Sequence, residues 1–177
     1  MNKQVHDINL KLREERQLFN SFDPAPFLDR DLDDDAADYI TDSVRELSGK
    51  HEIRLNILLP KDRKHKVSNA DIKSAIKNHF NYSKEVLRIK LKSILKQGRK
   101  SLVIGILFLT SCISASELSQ VYLTGFISKI LAEGLIIAGW VAMWKPINTF
   151  LYEWWPITKE IAIRQKIRDM EVKIKEY

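Results

Sequence analysis

The chain has 177 residues, of which 45% are hydrophobic and 29% are charged, and its formal net charge at pH 7 is +6. That length allows one modest domain and an appendage, and the single cysteine excludes an intramolecular disulfide framework. The average composition is that of an ordinary soluble protein, but it conceals a strong segregation of charge. Between Ser101 and Trp144 the only charged residues are Glu117, Lys129 and Glu133.

Two strands with a helix between them are predicted near the start of the chain. Apolar residues alternate along segments 5–12 and 53–59, which is typical of half-buried strands. Segment 34–47 carries apolar residues at helical spacing and is followed by Gly49. It is therefore predicted to form an amphipathic helix that ends at this glycine.

Seven aspartates lie between Asp29 and Asp42, around the start of that predicted helix. An EF-hand loop beginning at Asp29 would need glycine and glutamate where Asp34 and Ile40 stand, so this calcium motif is absent. The favoured interpretation is that acids gather at a helix N-terminus, whose exposed N–H groups favour negative charge. A basic partner surface is the next alternative, and metal binding is the third.

A second amphipathic helix is predicted after the basic loop 60–66, because Ile72, Ile76 and Phe80 recur at steps of four. The order strand, helix, strand, helix predicts a small cytoplasmic α/β domain at residues 1–82. Two strands joined by a helical crossover lie parallel, but a two-stranded sheet is marginal on its own. The sequence therefore also predicts oligomerisation or a partner subunit.

A strongly basic segment precedes the apolar block, with thirteen Lys or Arg between residues 61 and 100. Nucleic-acid binding is one interpretation of such a segment. Its position beside an apolar span instead favours anionic lipid headgroups, and no nucleic-acid partner is predicted. Residues 83–100 are predicted to form a basic, amphipathic juxtamembrane helix. The predicted headgroup contacts are Lys84, Arg88, Lys90, Lys92, Lys96, Arg99 and Lys100.

Two apolar segments predict a transmembrane hairpin at residues 101–153. Residues 101–116 are uncharged and would cover roughly 24 Å of a hydrocarbon core about 30 Å thick. Extension of the helix to residue 121 completes a first span at 101–121, and the second is predicted at 130–152. Uncharged runs also occur in soluble core helices, but a domain this small could scarcely bury two of them on all sides.

Flanking charge predicts the orientation of the hairpin. Seven basic residues precede the first span within residues 84–100, six follow the second span, and the intervening loop has only Lys129. By the positive-inside rule, both termini are predicted to be cytoplasmic. The N-terminal segment also lacks the apolar centre of a signal peptide, which agrees with that orientation.

Small residues in the second span predict a close contact with another helix, because glycine and alanine let two backbones approach. The neighbour is either the first span, through Gly105 and Ser111, or the same face of a second copy, and the sequence leaves both open. The candidate packing residues are Gly134, Ala138, Gly139 and Ala142.

Glu133 is the charged residue in the spans that is most open to a functional interpretation. A carboxylate at membrane depth can line an ion or proton path. The favoured interpretation is an interfacial residue paired with Lys129, four positions earlier. Lys145 is predicted to extend toward the inner interface, and Pro146 is predicted to kink or end the helix.

The tail at residues 154–177 is predicted to form an amphipathic cytoplasmic helix. Its apolar residues from Ile163 to Tyr177 alternate between steps of four and three, as in a coiled-coil seam, but two heptads are too few to form alone. The tail is therefore expected to pack on the N-terminal domain or on a partner.

No catalytic constellation is present in the sequence. The four histidines have no metal-ligand spacing, and the six glycines are scattered rather than grouped in a phosphate-binding loop. Neither is there a nucleophile-elbow pattern. The sequence predicts no enzyme activity, no cofactor and no metal site.

Four phrases carry a resemblance to a known group of proteins: FLDRDLDDDAADYI, AIKNHF, GRKSLVIGILFL and EGLIIAGWVAMWKPINTFLYEWWPI. The chain resembles, over most of its length, a family of bacterial inner-membrane proteins with two transmembrane helices and no known activity. The resemblance implies a bacterial origin and a membrane location, but it assigns no functional residue. The expected function is that of a membrane-anchored accessory or regulatory subunit, and the alternative is a homo-oligomeric pore lined by Glu133 or by Thr110, Ser111 and Ser114.

Overall fold

The computed structural model describes residues 5–20, 31–47, 52–61 and 67–177. Two compact units make up the chain. The first comprises Met1–Leu87 with Lys159–Tyr177, and the second comprises Arg88–Thr158. The first unit thus draws on two segments that are far apart in the sequence.

A three-stranded parallel sheet forms the base of the first unit. Its strands are β1 (Val5–Lys11), β2 (Glu52–Leu59) and β3 (Glu171–Glu176), in the spatial order β1-β2-β3. Helix α1 (Asp34–Glu46) lies between β1 and β2 in the sequence. The two predicted strands and their parallel pairing are confirmed, whereas Gly49, predicted to end α1, lies outside the described residues.

The third strand corrects the prediction for the C-terminal tail. The predicted helix ends at Asp169, and residues Glu171–Glu176 pair with β2 instead. Val172 and Ile174 are two positions apart, so as a strand they turn to the same side and align with the buried residues of β2. The prediction of a partner subunit was based on a sheet of only two strands. Because the chain supplies a third strand itself, the sheet needs no partner to complete it.

One face of the sheet carries the hydrophobic core of the first unit. Alternate residues of β1 and β2 point into it, and the apolar sides of three helices cover them. The helical residues predicted at steps of four are each about 1% exposed. The principal core side chains are Ile8, Leu55, Ile57, Leu59, Ile40, Val44, Ile72, Ile76, Phe80 and Ile167.

Helix α2 (Asn69–Tyr122) is continuous over 54 residues. It includes the predicted amphipathic helix, the basic segment and the first apolar span, and no proline interrupts it. At its start the Ser68 hydroxyl oxygen accepts a hydrogen bond from the backbone N–H of Ala70 at 3.2 Å. This satisfies one of the N–H groups that a helix N-terminus leaves unpaired.

The second long helix is segmented. It consists of α3 (Phe126–Ala142), α4 (Trp144–Asn148), a π-helical turn (Thr149–Glu153) and α5 (Trp154–Asp169). The break between α3 and α4 lies just before Pro146, which has no N–H to donate to the preceding turn. The interruption that the sequence predicted at this proline is therefore confirmed.

An ion pair joins the neighbouring strands β2 and β3, which are far apart in the sequence. Arg54 donates from Nε to Glu171 Oε2 at 2.7 Å, and its Nη1 lies 3.6 Å from Asp7 Oδ1. The hydrogen bond from Arg54 holds the pKa of Glu171 below the ordinary value of a glutamate. A lowered carboxyl pKa means that the folded chain binds the proton less readily than the unfolded chain.

A pH dependence of folding is expected from this pair. Its stabilisation is fully present above the ordinary glutamate pKa and is lost as the pH falls through the lowered pKa of Glu171. Glu171→Gln should therefore reduce the loss of melting temperature in acid, measured by circular dichroism in mild detergent. Glu46→Gln, which removes an exposed glutamate of α1, is the control. If both variants changed the acid-induced loss of melting temperature equally, the pH dependence would not come from Glu171.

Candidate membrane-spanning hairpin

Small residues line the contact between the two apolar helices of the second unit. A Cβ atom added to Gly139 would lie 2.7 Å from Leu109 Cδ1 and 3.2 Å from Cys112 Cβ. A Cβ added to Gly105 would lie 3.2 Å from the carbonyl oxygen of Ala142. Contacts this short leave no room for a side chain, so the two backbones approach as closely as glycine allows.

A seven-residue repeat underlies this contact. Within the second unit four buried residues of α2 recur at seven-residue steps, and three buried residues of the returning helix do the same. Such a repeat keeps one seam of a helix against its neighbour over many turns. The residues concerned are Gly98, Gly105, Cys112 and Ser119 on one helix, and Ala132, Gly139 and Pro146 on the other.

The four predicted packing residues fall on different sides of α3. Gly139 is buried against the first span, and Ala142 meets Gly105 through its backbone carbonyl. Gly134 and Ala138 are exposed, and no atom lies within 4 Å of a Cβ built on Gly134. Gly139 thus packs within the hairpin, while a contact of Gly134 and Ala138 with a second copy stays a prediction.

Large apolar side chains cover the outer surface of the hairpin. Ile104, Leu107, Ile137 and Val141 are 67%, 62%, 64% and 65% exposed. A soluble helical hairpin would bury its large apolar residues and expose small or polar ones. Here that arrangement is reversed.

Hydroxyl groups within the hairpin are bonded to its own backbone. Thr110 Oγ1 lies 3.0 Å from the carbonyl oxygen of Ile106, and Ser111 Oγ donates to that of Leu107 at 2.8 Å. At the end of the hairpin Ser128 Oγ donates to the carbonyl oxygen of Ser119 at 3.1 Å. Local bonds of this kind remove the cost of placing a hydroxyl in an apolar medium.

Glu133 and Lys129 do not form the predicted ion pair. Both side chains are exposed, and no ion pair joins them within the part of the chain that the structure describes. Glu133 therefore lies on the outer surface of α3 and not in the seam between the helices. Its role in an ion path stays a prediction.

A polar cluster follows Pro146 at the π-helical turn. Glu153 Oε1 accepts from Lys145 Nζ at 2.7 Å and from Asn148 Nδ2 at 2.9 Å. Thr149 Oγ1 lies 3.0 Å from the other carboxylate oxygen. Lys145, predicted to extend toward the inner interface, is paired with a carboxylate eight residues further along the chain. Sequence reasoning missed the cluster because the helix geometry changes at the π turn.

The seven basic residues predicted to contact headgroups divide into two groups. The side chain of Lys84 is only 4% exposed; its Nζ donates to Asn81 Oδ1 at 3.0 Å and lies 3.4 Å from Glu85 Oε1. Because this lysine is buried in the first unit, it is not available to lipid headgroups. The other six predicted contacts are exposed on α2: Arg88, Lys90, Lys92, Lys96, Arg99 and Lys100.

Two of the acidic residues before α1 have partners within the first unit. Asp33 is the N-cap, and its Oδ1 accepts from the backbone N–H of Asp35 at 3.1 Å. Asp31 lies beside His79, with 3.3 Å between Oδ1 and Nδ1. Among the described residues no group of acids, histidines and cysteines could hold a metal ion, and Asp29 lies outside them.

A shallow cavity of about 370 Å³ lies at the N-terminal edge of the sheet, beside the end of α5. Its lining includes Arg54 and Asp169, both of which are already engaged. Arg54 is bonded to Glu171, and Asp169 receives two hydrogen bonds from Arg168. The cavity therefore offers no convergent set of free polar groups among these residues.

The described residues define a class of architecture: an α/β unit on a parallel three-stranded sheet, combined with two helices long and apolar enough to cross a membrane. These helices span Asn69–Tyr122 and Phe126–Asp169, with 54 and 44 residues. Comparisons with protein families, with curated proteins and with solved structures found no match to the chain. The resemblance to the two-span inner-membrane family stays a prediction.

Proposed function

We propose that this protein is a membrane-anchored interaction protein, acting as an accessory or regulatory subunit of a larger complex in the bacterial inner membrane. The observation that carries the proposal is the reversed packing of the hairpin, with small residues inside and large apolar residues outside. In water that outer surface would be costly, whereas lipid or another membrane subunit would cover it at no such cost.

The proposed orientation has both termini in the cytoplasm and spans at about residues 101–121 and 130–152. Basic residues before the first span and after the second support it through the positive-inside rule. The turn between the spans contains Gly125, whose φ of +89° is accessible to glycine at little cost. That short turn would lie on the far side of the membrane.

The six exposed basic residues of α2 between Arg88 and Lys100 are proposed to contact anionic lipid headgroups. Each lysine or arginine near an anionic surface contributes on the order of 1 kcal/mol of attraction. Aromatic residues near the same end of the second span support an interfacial position, since Tyr152 and Trp155 are 63% and 53% exposed. The basic segment then needs no nucleic-acid ligand to account for it.

An accessory role is favoured over an enzyme or a pore. In the described part of the chain two charged residues of the cavity beside the sheet, Arg54 and Asp169, are engaged with Glu171 and Arg168. The hydroxyls of Thr110 and Ser111, candidates for lining a pore, are bonded to their own helix. Gly134 and Ala138 leave a flat strip on which a helix of another subunit, or of a second copy, can pack.

Location and orientation are tested first, by cysteine labelling in intact cells. In a Cys112→Ser background, Thr124→Cys in the turn should react with a membrane-impermeant maleimide from outside. Gln165→Cys in the tail should react only after lysis. The protein should also stay with membranes in alkaline carbonate. Release by carbonate, or the opposite labelling pattern, would contradict the proposal.

Partners are tested by purification in mild detergent followed by mass spectrometry of the co-eluting proteins. The proposal expects other membrane subunits in fixed ratio to the chain. Purified protein alone should give no ion conductance in liposomes. Conductance that Glu133→Ala abolishes while assembly persists would replace the accessory role with the pore.

A further inference from the structure

The second face of the three-stranded sheet bears a polar surface that the hydrophobic core does not use. Ile8, Leu55 and Val172 align across the three strands on the core side, so the next residues, Asn9, Asn56 and Lys173, align on the other side. Among the described residues the core cluster includes no side chain from this second face. Parallel sheets are usually covered on both faces, which makes this open face unusual.

A buried amide at the centre of this face lacks a hydrogen-bond donor. Asn56 is only 1% exposed, and its Nδ2 donates to Asn9 Oδ1 at 3.0 Å. Asn56 Oδ1 has no partner among the described residues. Because this oxygen is already buried within the chain, no partner can reach it, and a contact on this face has to be made by the side chains around the amide.

Charge on the second face is unevenly distributed. At one end Arg54 lies between Asp7 and Glu171, and Lys173 Nζ lies 3.3 Å from Glu171 Oε1, so two positive and two negative charges compensate one another. At the other end the lysines of the two edge strands flank Leu58, which is half-buried and lies outside the core cluster. This basic half consists of Lys11 and Lys175.

Helix α1 presents the complementary charge. Asp34, Asp38 and Asp42 are four residues apart and exposed, so they form one stripe along the helix. The opposite side of α1, with Ile40 and Val44, is buried on the core face of the sheet. Within one chain the acidic stripe therefore faces away from the basic surface, and only a second copy can bring the two together.

We propose that the second face of the sheet binds the acidic stripe of helix α1 from a second copy of this chain. The lengths agree, since 13 helical residues cover about 20 Å and a strand of 8 residues about 26 Å. Contact between two identical sheet faces would instead oppose lysine to lysine. Docking of a sheet onto a helix is a head-to-tail contact, which builds a ring or an open chain of copies.

Every residue of the proposed contact lies in the first unit, so the inference does not rest on the membrane proposal. The full-length chain is used for the test, purified in mild detergent. Its molar mass is measured by light scattering as protein and salt concentrations vary. The wild type should associate with rising concentration, and salt should weaken that association because it screens the charges.

Reciprocal charge reversal provides the decisive comparison. A sheet variant carries Lys11→Glu and Lys175→Glu, the two lysines that flank Leu58, and a helix variant carries Asp34→Lys and Asp38→Lys. Each alone should associate at least about tenfold more weakly, because like charges would then meet. A mixture of the two should recover the assembly, since the reversed surfaces again attract each other. Lys73→Glu with Lys77→Glu, an equal charge change on exposed positions of α2, should leave association intact.

Three results would overturn the inference: a monomeric wild type at every concentration, an assembly unchanged in both variants, or a loss that mixing does not restore. Recovery on mixing also shows that both variants are folded. Membrane extraction and cysteine labelling are unaffected by these substitutions, so failure here is distinct from failure of the membrane proposal.

Discussion

Replacement of Gly139 by leucine should force the two apolar helices apart and destabilise the hairpin. Its Cβ would lie 2.7 Å from Leu109 Cδ1 and 3.3 Å from Leu109 Cα, and the second of these is a backbone atom that cannot rotate away. Overpacking of this kind typically costs about 1–3 kcal/mol, and a backbone clash along a seam belongs at the upper end. The measurement is the free energy of unfolding of the full chain in detergent, monitored by the circular dichroism signal of its helices.

Gly134→Leu is the matched control, because it makes the same change five residues earlier on the same helix. No atom lies within 4 Å of a Cβ at Gly134, so the new side chain enters open space. Leucine also has a higher helix propensity than glycine, by up to about 1 kcal/mol. We expect unchanged or slightly higher stability. Equal destabilisation by both variants would mean that the seam does not run through Gly139.

Removal of residues 171–177 should abolish the cooperative folding of the first unit. The deletion takes away β3 and leaves the central strand β2 as an edge, with Leu55 and Ile57 no longer covered along that side. Both side chains are fully buried in the intact chain, and a two-stranded sheet is at best marginal. Limited proteolysis should show rapid cleavage within residues 1–87 while the hairpin stays protected.

Point substitutions in β3 show whether its contribution comes from the side chains that face the core. Ile174 packs against the core, so Ile174→Asp buries a charge and should cost about 2–4 kcal/mol. Lys175 is the next residue along β3 and points to the other face, where Lys175→Asp should be tolerated. Resistance of the truncated chain to proteolysis would show that β3 is dispensable.

Periodicity predicted those parts of the fold whose partners lie nearby in the sequence. Alternation predicted β1 and β2, and apolar steps of four predicted the buried face of α2 at Ile72, Ile76 and Phe80. The uncharged blocks predicted both long apolar helices. In each case the residues of one segment are enough to assign its secondary structure, because the pattern repeats along the whole segment.

The tail and the helix seam could not be assigned with the same rules. Ile174 fits both the end of a heptad pattern and, with Val172, a two-residue period, and only pairing with β2, over 110 residues away, selects the strand. In the hairpin, steps of four led to Gly134 and Ala138, whereas two helices in contact over many turns follow steps of seven. The burial of Lys84 likewise depends on an environment that its neighbours in sequence do not reveal.

The divided origin of the first unit has a consequence for the synthesis of the protein. β1 and β2 leave the ribosome early, but their third strand emerges only after both apolar helices have been made. At typical rates of translation the unfinished sheet waits on the order of ten seconds, with one side of β2 unpaired. A nascent chain whose second apolar helix fails to bring its C-terminal segment back cannot complete the sheet, and it stays open to proteases. Closure of the sheet therefore has to wait until the whole hairpin has been synthesised.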